Sequence, residues 1–298
     1  MTRANESPPD ARPLPFLHLH EVIEGIRMYS STVRRTAAGV TCVVVVLASI
    51  TSCSGHPPAS GGAITALQER LLACSDDATY NAFDALDGSA SSQDAPLLTA
   101  RWDAVRDNIV QAAVCGGHAR VVVVSSSSAT SILLLDSDLQ PAGATENARL
   151  RRVDGLVDET IEHAKAAYAA ALPGLEPNGS DLTAAYFALG DYIEERDGAG
   201  GEQAYSAQVA TDGIQNVGVN LGDPLLTAAS AESLATSVAV PQLDGRVSVS
   251  FLGIGKVAGS EQPSTEYVNG LKAFWSATCE VTGAGSCTVL TDFGGGSE

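Results

Sequence analysis

Lysine is nearly missing from this chain of 298 residues: only Lys165, Lys256 and Lys272 occur, against 35 Asp or Glu, and the formal charge is −18. A surface so poor in cations cannot neutralise a phosphate backbone, which excludes nucleic-acid binding and any electrostatic hold on anionic headgroups. Charged residues of both signs make up only 17%, while 45% are hydrophobic and 29 are Gly. A disordered acidic chain would hold far less apolar surface, so this composition describes a folded globular protein. None of the six cysteines stands in a Cys-x-x-Cys spacing, which disfavours zinc and thioredoxin-like chemistry. No serine lies in Gly-x-Ser-x-Gly, and neither a nucleophile–base pair nor a convergent His/Glu set is visible, which favours binding over catalysis. Internal repeats are absent too. The excess of Ala over Lys suggests a GC-rich source and says nothing of function.

Long apolar runs are also lacking, with one exception. Residues 36–52, TAAGVTCVVVVLASITS, carry no charge, follow Arg34 and Arg35, and end at Cys53. A cationic start, a short apolar stretch and small residues at its end form a secretory signal, and the run is at the short end for a membrane span. Ile50-Thr51-Ser52-Cys53 resembles the bacterial lipobox, which implies cleavage before Cys53 and a lipid on its thiol. The expected layout is an N-terminal extension over 1–27, with translation able to start at Met28, then a signal peptide over 28–52. A lipidated tether with a short helix follows over 53–76, then a single domain over 77–293 and a tail over 294–298. The expected location is extracytoplasmic, on the cell membrane through the lipid alone. The first 52 residues hold five arginines and four carboxylates, so the exported chain carries −19.

Export also governs the cysteines. Cys42 leaves with the signal and Cys53 takes lipid, so Cys74, Cys115, Cys279 and Cys287 remain. An even number outside the cytoplasm favours two disulfides, for which three pairings exist. Sequence proximity favours Cys279 with Cys287, leaving Cys74 with Cys115.

Past the Pro/Gly/Ser tether at 54–62, the apolar pattern predicts alternating helices and strands. Helices are predicted over 64–72, 95–114, 153–172, 182–193, 224–238 and 266–277. Strands are predicted over 80–86, 119–124, 131–135, 204–210, 246–253 and 288–290, with 119–124 and 131–135 both read as buried. Strands separated by helices argue an α/β fold, doubly wound, with a mostly parallel central sheet covered on both faces. Ligands of such sheets bind at the carboxyl ends of strands.

Those ends carry oxygen side chains. Asp87-Gly88-Ser89-Ala90-Ser91 is Asp-x-Ser-x-Ser directly after the first strand of the domain, Gly179-Ser180-Asp181-Leu182 stands before a helix, and Thr211-Asp212-Gly213 ends a later strand. In this order the three elements resemble the von Willebrand factor type A domain with a metal-ion-dependent adhesion site, over about residues 77–293. Ser180 stands where that family has Thr, and the VSFLGIG ending of residues 246–255 resembles its fifth strand. The resemblance implies a Rossmann-like sheet and a divalent cation, Mg²⁺ or else Mn²⁺ or Ca²⁺. Ser89 and Ser91 would bind it directly, Ser180 directly or through water, and Asp87 and Asp212 mainly through waters. A hard cation wants oxygen ligands, and neutral hydroxyls leave much of its charge free for a carboxylate from a protein or peptide partner.

Other patterns carry less. Gly253-Ile254-Gly255-Lys256-Val257-Ala258-Gly259 imitates a dinucleotide fingerprint but precedes no helix against its glycines, so a tight strand exit is expected. His163 belongs to a solvated helix face, and His118 follows a helix end, where a cation complements the dipole. Trp102 and Trp275 fall on apolar helical stripes and are expected in the core. The resulting expectation is a lipid-anchored binding module and not an enzyme. A solute-binding lipoprotein or envelope enzyme using the same strand ends is the alternative, as is a metal-free scaffold.

Overall fold

A computed structural model describes residues 61–126, 131–176 and 178–294. The signal segment, Cys53, the remainder of 1–60 and the tail 295–298 lie outside the described residues. Six strands, β1 (Ala78–Asp87), β2 (His118–Val124), β3 (Ile132–Asp138), β4 (Glu202–Ala210), β5 (Val247–Leu252) and β6 (Ser286–Leu290), form one sheet in the order β3-β2-β1-β4-β5-β6. Every neighbouring pair is parallel except β2 with β3. Helices α1 (Gly61–Leu71), α2 (Ala95–Cys115) and α3 (Glu146–Ala171) bury their apolar stripes against one face. On the other face lie α4 (Thr183–Gly198), α5 (Ala228–Ala235) and α6 (Thr265–Thr282). This is the doubly wound α/β class expected, with the Rossmann-like strand order. Among the described residues no helix is long and apolar enough to cross a membrane.

Local chemistry explains the ends of the elements. Pro96 opens α2, and Gly116 closes it at φ +65, a left-handed conformation that costs glycine nothing. Gly117 is required for a second reason: a Cβ there would lie 2.0 Å from the Tyr80 carbonyl oxygen. Thr145 and Ser264 cap α3 and α6, their hydroxyls accepting from the amides of Ala148 and Tyr267. Both disulfides form in the pairing that proximity favoured. Cys74–Cys115 joins the segment after α1 to the end of α2, and Cys279–Cys287 joins α6 to β6.

Three expectations need correction. The helix over 224–238 shrinks to Ala228–Ala235, because the Asp223 carboxylate accepts from the Leu225 amide in a turn and the Thr227–Ser230 capping box starts the helix after it. Segment 131–135 is only partly buried: it starts an antiparallel edge strand in which Leu134 and Leu135 are in the core while Ile132 and Leu133 are exposed. His118 is not a cation at a helix end. It begins β2, is buried against the Tyr192 hydroxyl at 2.8 Å, and burial holds its pKa below the usual 6.5. Both tryptophans are buried as expected.

One side chain in the middle of β1 conflicts with its surroundings. Asp84 is 1% exposed, and its two oxygens accept only long bonds, 3.2 and 3.3 Å, from the Asn108 Nδ2. Burial drives its pKa well above 3.8, outweighing Asn108, with Asp107 adding to the rise. In the folded chain the proton is therefore held more tightly than in the unfolded chain. Stability falls as pH rises from the unfolded value, near 4, to the raised folded one, and the loss is complete above it. An amide at this position keeps an acceptor for Asn108 and adds a donor beside Gln208, its register partner, whose Oε1 is buried without a hydrogen-bond partner. Asp84→Asn is expected to match the native chain near pH 4 and to melt several degrees higher at pH 8, at about 2–4 °C per kcal/mol. Melting curves across that range check it, and a parallel loss at both pH values would contradict the protonated state.

Candidate functional site

The sheet reverses its winding between β1 and β4, where the chain leaves β1 toward one face and β4 toward the other. Crevices at such reversals are where open α/β sheets bind ligands. Asp87 is the last residue of β1, and Thr211 and Asp212 follow the end of β4, so the register Leu86↔Ala210 sets the two ends side by side. The Thr211 hydroxyl donates to Asp87 Oδ2 at 2.8 Å and ties them together.

The loop after β1 folds back over Asp87. Its Oδ1 accepts from the Ser89 amide at 2.9 Å, and a 3-10 turn at Ala90–Ser92 brings three hydroxyls together. The Ser89 Oγ lies 3.2 Å from both Ser91 Oγ and Ser92 Oγ. Gly88 is needed for this path, since a Cβ would stand 2.7 Å from the Leu175 side chain and 2.9 Å from that of Val123. The loop before α4 is fixed by the one after β4: Asn216 Oδ1 accepts from the Ser180 amide, and Gln215 Oε1 from the amides of Leu182 and Thr183. The Asp181 amide donates to the Ser125 carbonyl at the end of β2, which draws Ser180 toward the strand ends. The exit of β5 closes the ring, with the Gly255 amide donating to the Asp212 carbonyl and the Ala258 amide to that of Ser91. The glycine-rich run after β5 is thus a strand exit, as expected, with Gly253 and Gly255 at positive φ.

Four of the five sequence-derived site residues are buried: Asp87, Ser89, Ser180 and Asp212 are 1%, 6%, 3% and 0% exposed. Ser91 is half-buried and forms the opening. Two atoms stand out. Ser180 Oγ and Asp212 Oδ2 are buried without a hydrogen-bond partner, although Asp212 Oδ1 accepts from the Ile214 amide at 2.8 Å. Burial first, and the Asp87 charge second, push the Asp212 carboxyl up to about 6, against the Ser91 hydroxyl and the Ile214 amide, which favour its charged form. Each of these unsatisfied buried oxygens, on two different loops, is a point where the chain supplies no partner of its own. Every donor atom here is oxygen, and oxygen is what a hard dication takes. Among the described residues no group of three or more His, Cys, Asp or Glu is placed to hold a metal, so a cation here depends on the hydroxyls.

The structure adds roles that the motifs did not assign. Thr211 pairs Asp87, and Gln215 and Asn216 hold the Ser180 loop. Arg101 on α2 is 0% exposed, its Nη1 donates to the Ser92 carbonyl at 2.7 Å, and Asp87 and Asp212 act on its charge. A signal for Arg101 was present in the sequence, because residues 98, 101, 105, 108 and 112 repeat at three and four and form the inward stripe of α2.

No family model matches the chain, and no curated protein matches it. Among solved structures, it is similar to proximal thread matrix protein 1 from the mussel byssus, at 16% identity over 73% of this chain and with a TM-score of 0.33. The chain spans 45% of the length of that protein. It is also similar to an aerotolerance-related membrane protein from Bacteroides fragilis, at 15% identity over 71% of this chain and 92% of that one, with a TM-score of 0.35. At these values the fold rests on the sheet order itself.

Proposed function

We propose that this protein is an extracytoplasmic binding module of the von Willebrand factor A type, anchored by a lipid on Cys53, that recruits an acidic group of a protein or peptide through a divalent cation. The observation that carries the reading is the pair of buried, unpartnered oxygens, Ser180 Oγ and Asp212 Oδ2, at the winding reversal beside Asp87, Ser89 and Ser91. Ser89, Ser91 and Ser180 would hold Mg²⁺ or Mn²⁺, with Asp87 and Asp212 supplying the negative field. The cation supplies an electrophilic point for a carboxylate. The chain's own part is to orient the hydroxyls. Thr211 and the Ser89 amide hold the Asp87 carboxylate, and Asn216 holds the Ser180 backbone. The two disulfides fit an oxidising compartment outside the cytoplasm. A binding role without catalysis is part of the same reading.

A ligand that binds only the folded chain stabilises it by about 2.7 kcal/mol at a hundred times its Kd. Saturating Mg²⁺ or Mn²⁺ is therefore expected to raise the melting temperature by about 5 °C or more. Asp87→Asn and Ser89→Ala should each abolish that gain, Asp212→Asn should weaken it, and Asp84→Asn should leave it intact. A native chain whose melting ignores both ions and chelator ends the metal reading. Fatty-acid labelling that survives Cys53→Ala removes the anchor from it.

A further inference from the structure

Arg101 is a cation in a place where the fold has no need of one. Its guanidinium is fully buried on α2, and Nη1 alone has a hydrogen-bond partner, the carbonyl of Ser92, whose hydroxyl in turn lies 3.2 Å from that of Ser89. Nε and Nη2 are buried and unpartnered, and no carboxylate comes within ion-pair distance among the described residues. The guanidinium stacks over the Phe293 ring, 5.7 Å from its centre, and that ring occupies the space a Cβ at Gly253 would need. Burying a charge without a direct pair is costly, and the compensation at hand is the field of Asp87 and Asp212. The other buried carboxyl facing α2, Asp84, is held by Asn108 instead.

We propose that Arg101 is the resident cation of the site, which offsets Asp87 and Asp212 when no metal is bound and sets the metal affinity low. This rests on the metal reading above. Two buried carboxylates and one guanidinium leave a single net negative charge. A dication turns it into a single net positive charge, which one incoming carboxylate cancels. With a neutral residue at 101 the same dication would bring the cluster to zero, so it would bind more tightly but draw an acid less. Arg101 thus exchanges affinity for the ion against affinity for the acidic ligand, and it is a positioning residue with no part in ligation.

The test is Mn²⁺ titration of the folded protein, followed by calorimetry and by melting in chelator, for the native chain, Arg101→Gln, Arg101→Lys and Asp87→Asn. Arg101→Gln is expected to bind Mn²⁺ about tenfold or more tightly, since a unit charge has been removed from a low-dielectric neighbourhood. It should melt lower than the native chain in chelator and recover when Mn²⁺ is added, while Arg101→Lys stays near the native affinity. Acetate, a bare carboxylate probe, should tighten Mn²⁺ binding more in the native chain than in Arg101→Gln, as reciprocal linkage requires. Equal acetate effects overturn the exchange of affinities. Unchanged or weaker Mn²⁺ binding by Arg101→Gln overturns the inference and leaves the metal reading standing. Failure of Arg101→Gln to fold with or without Mn²⁺ also overturns it, because the ion then cannot stand in for the guanidinium. If the native chain binds Mn²⁺ no better than Asp87→Asn does, the metal reading falls and this inference with it.

Discussion

Replacing Cys74 and Cys115 together by Ser is expected to lower stability by about 4 kcal/mol, and the same change at Cys279 and Cys287 by about 2.5 kcal/mol. The difference comes from the loops that the bridges close, with sequence separations of 41 and 8. A longer loop has more entropy to regain when its crosslink is cut. The first bridge also does local work. It pins the segment behind α1 to the last turn of α2, and Gln111 Nε2, one turn earlier, donates to the Arg70 carbonyl beside it. Leu67 is the one buried apolar residue of α1, and its other ties are polar and at the surface, Arg70 to Asp107 and Gln68 to Asn147. The reduced chain should therefore lose α1 first, and hydrogen exchange should show its amides unprotected while β1 and β4 remain closed. Denaturant titration of the two double variants gives the ranking, and equal losses would show that native-state packing outweighs loop closure.

How much of this was legible before the fold was seen differs from element to element. The strands β4 and β5 announced themselves by apolar alternation, since a strand's face is set by a two-residue period, whereas β1, whose alternation Asn81 and Asp84 break, showed itself by the run YNAFDAL and the turn that ends it. The site was legible from the strand ends: Asp87 ends β1 and Asp212 sits just past β4, and a parallel sheet must place those ends on one edge. The extent of α5 was not legible, since Pro224 can open a helix as well as a turn, and only the Asp223–Leu225 bond decides between them. Nor was the exposure of β3, for Ile132 and Leu133 are as apolar as any core pair and become an edge only through the hairpin with β2. Arg101 and Asn108 were legible in position but not in role. Their three- and four-residue spacing is that of a buried helical stripe, yet what they face there is set by how the strands pair, Asp84 and Asp87 on β1 and the Ser206 carbonyl on the distant β4.

Trp275→Ala is the single change expected to harm the fold most, and it also tests how the core supports the site. The indole is 0% exposed, stacks on Phe251 at 4.6 Å between ring centres and meets Phe274 edge-on at 4.9 Å. Removing it leaves a large cavity between α6 and β5, for which about 3–5 kcal/mol is the expected loss. That approaches half the stability of many domains, at about 5–15 kcal/mol. By contrast Leu225→Ala, at an 81% exposed position, should change stability by less than about 0.5 kcal/mol. The indole Nε1 also donates to the Gly213 carbonyl at 2.9 Å, and Gly213, at φ +81, directly follows Asp212. Trp275→Phe keeps a ring over Phe251, removes that bond and leaves a small void, so the unpaired carbonyl alone costs about 1–3 kcal/mol and the lost packing adds to it. The freed turn would no longer fix the Asp212 side chain. Trp275→Phe should therefore lose a larger share of its metal-induced rise in melting temperature than Phe274→Leu, a core change of comparable cost that makes no bond to the Asp212 turn. Equal retention of the rise in both variants would show that the turn holds Asp212 without help from the indole.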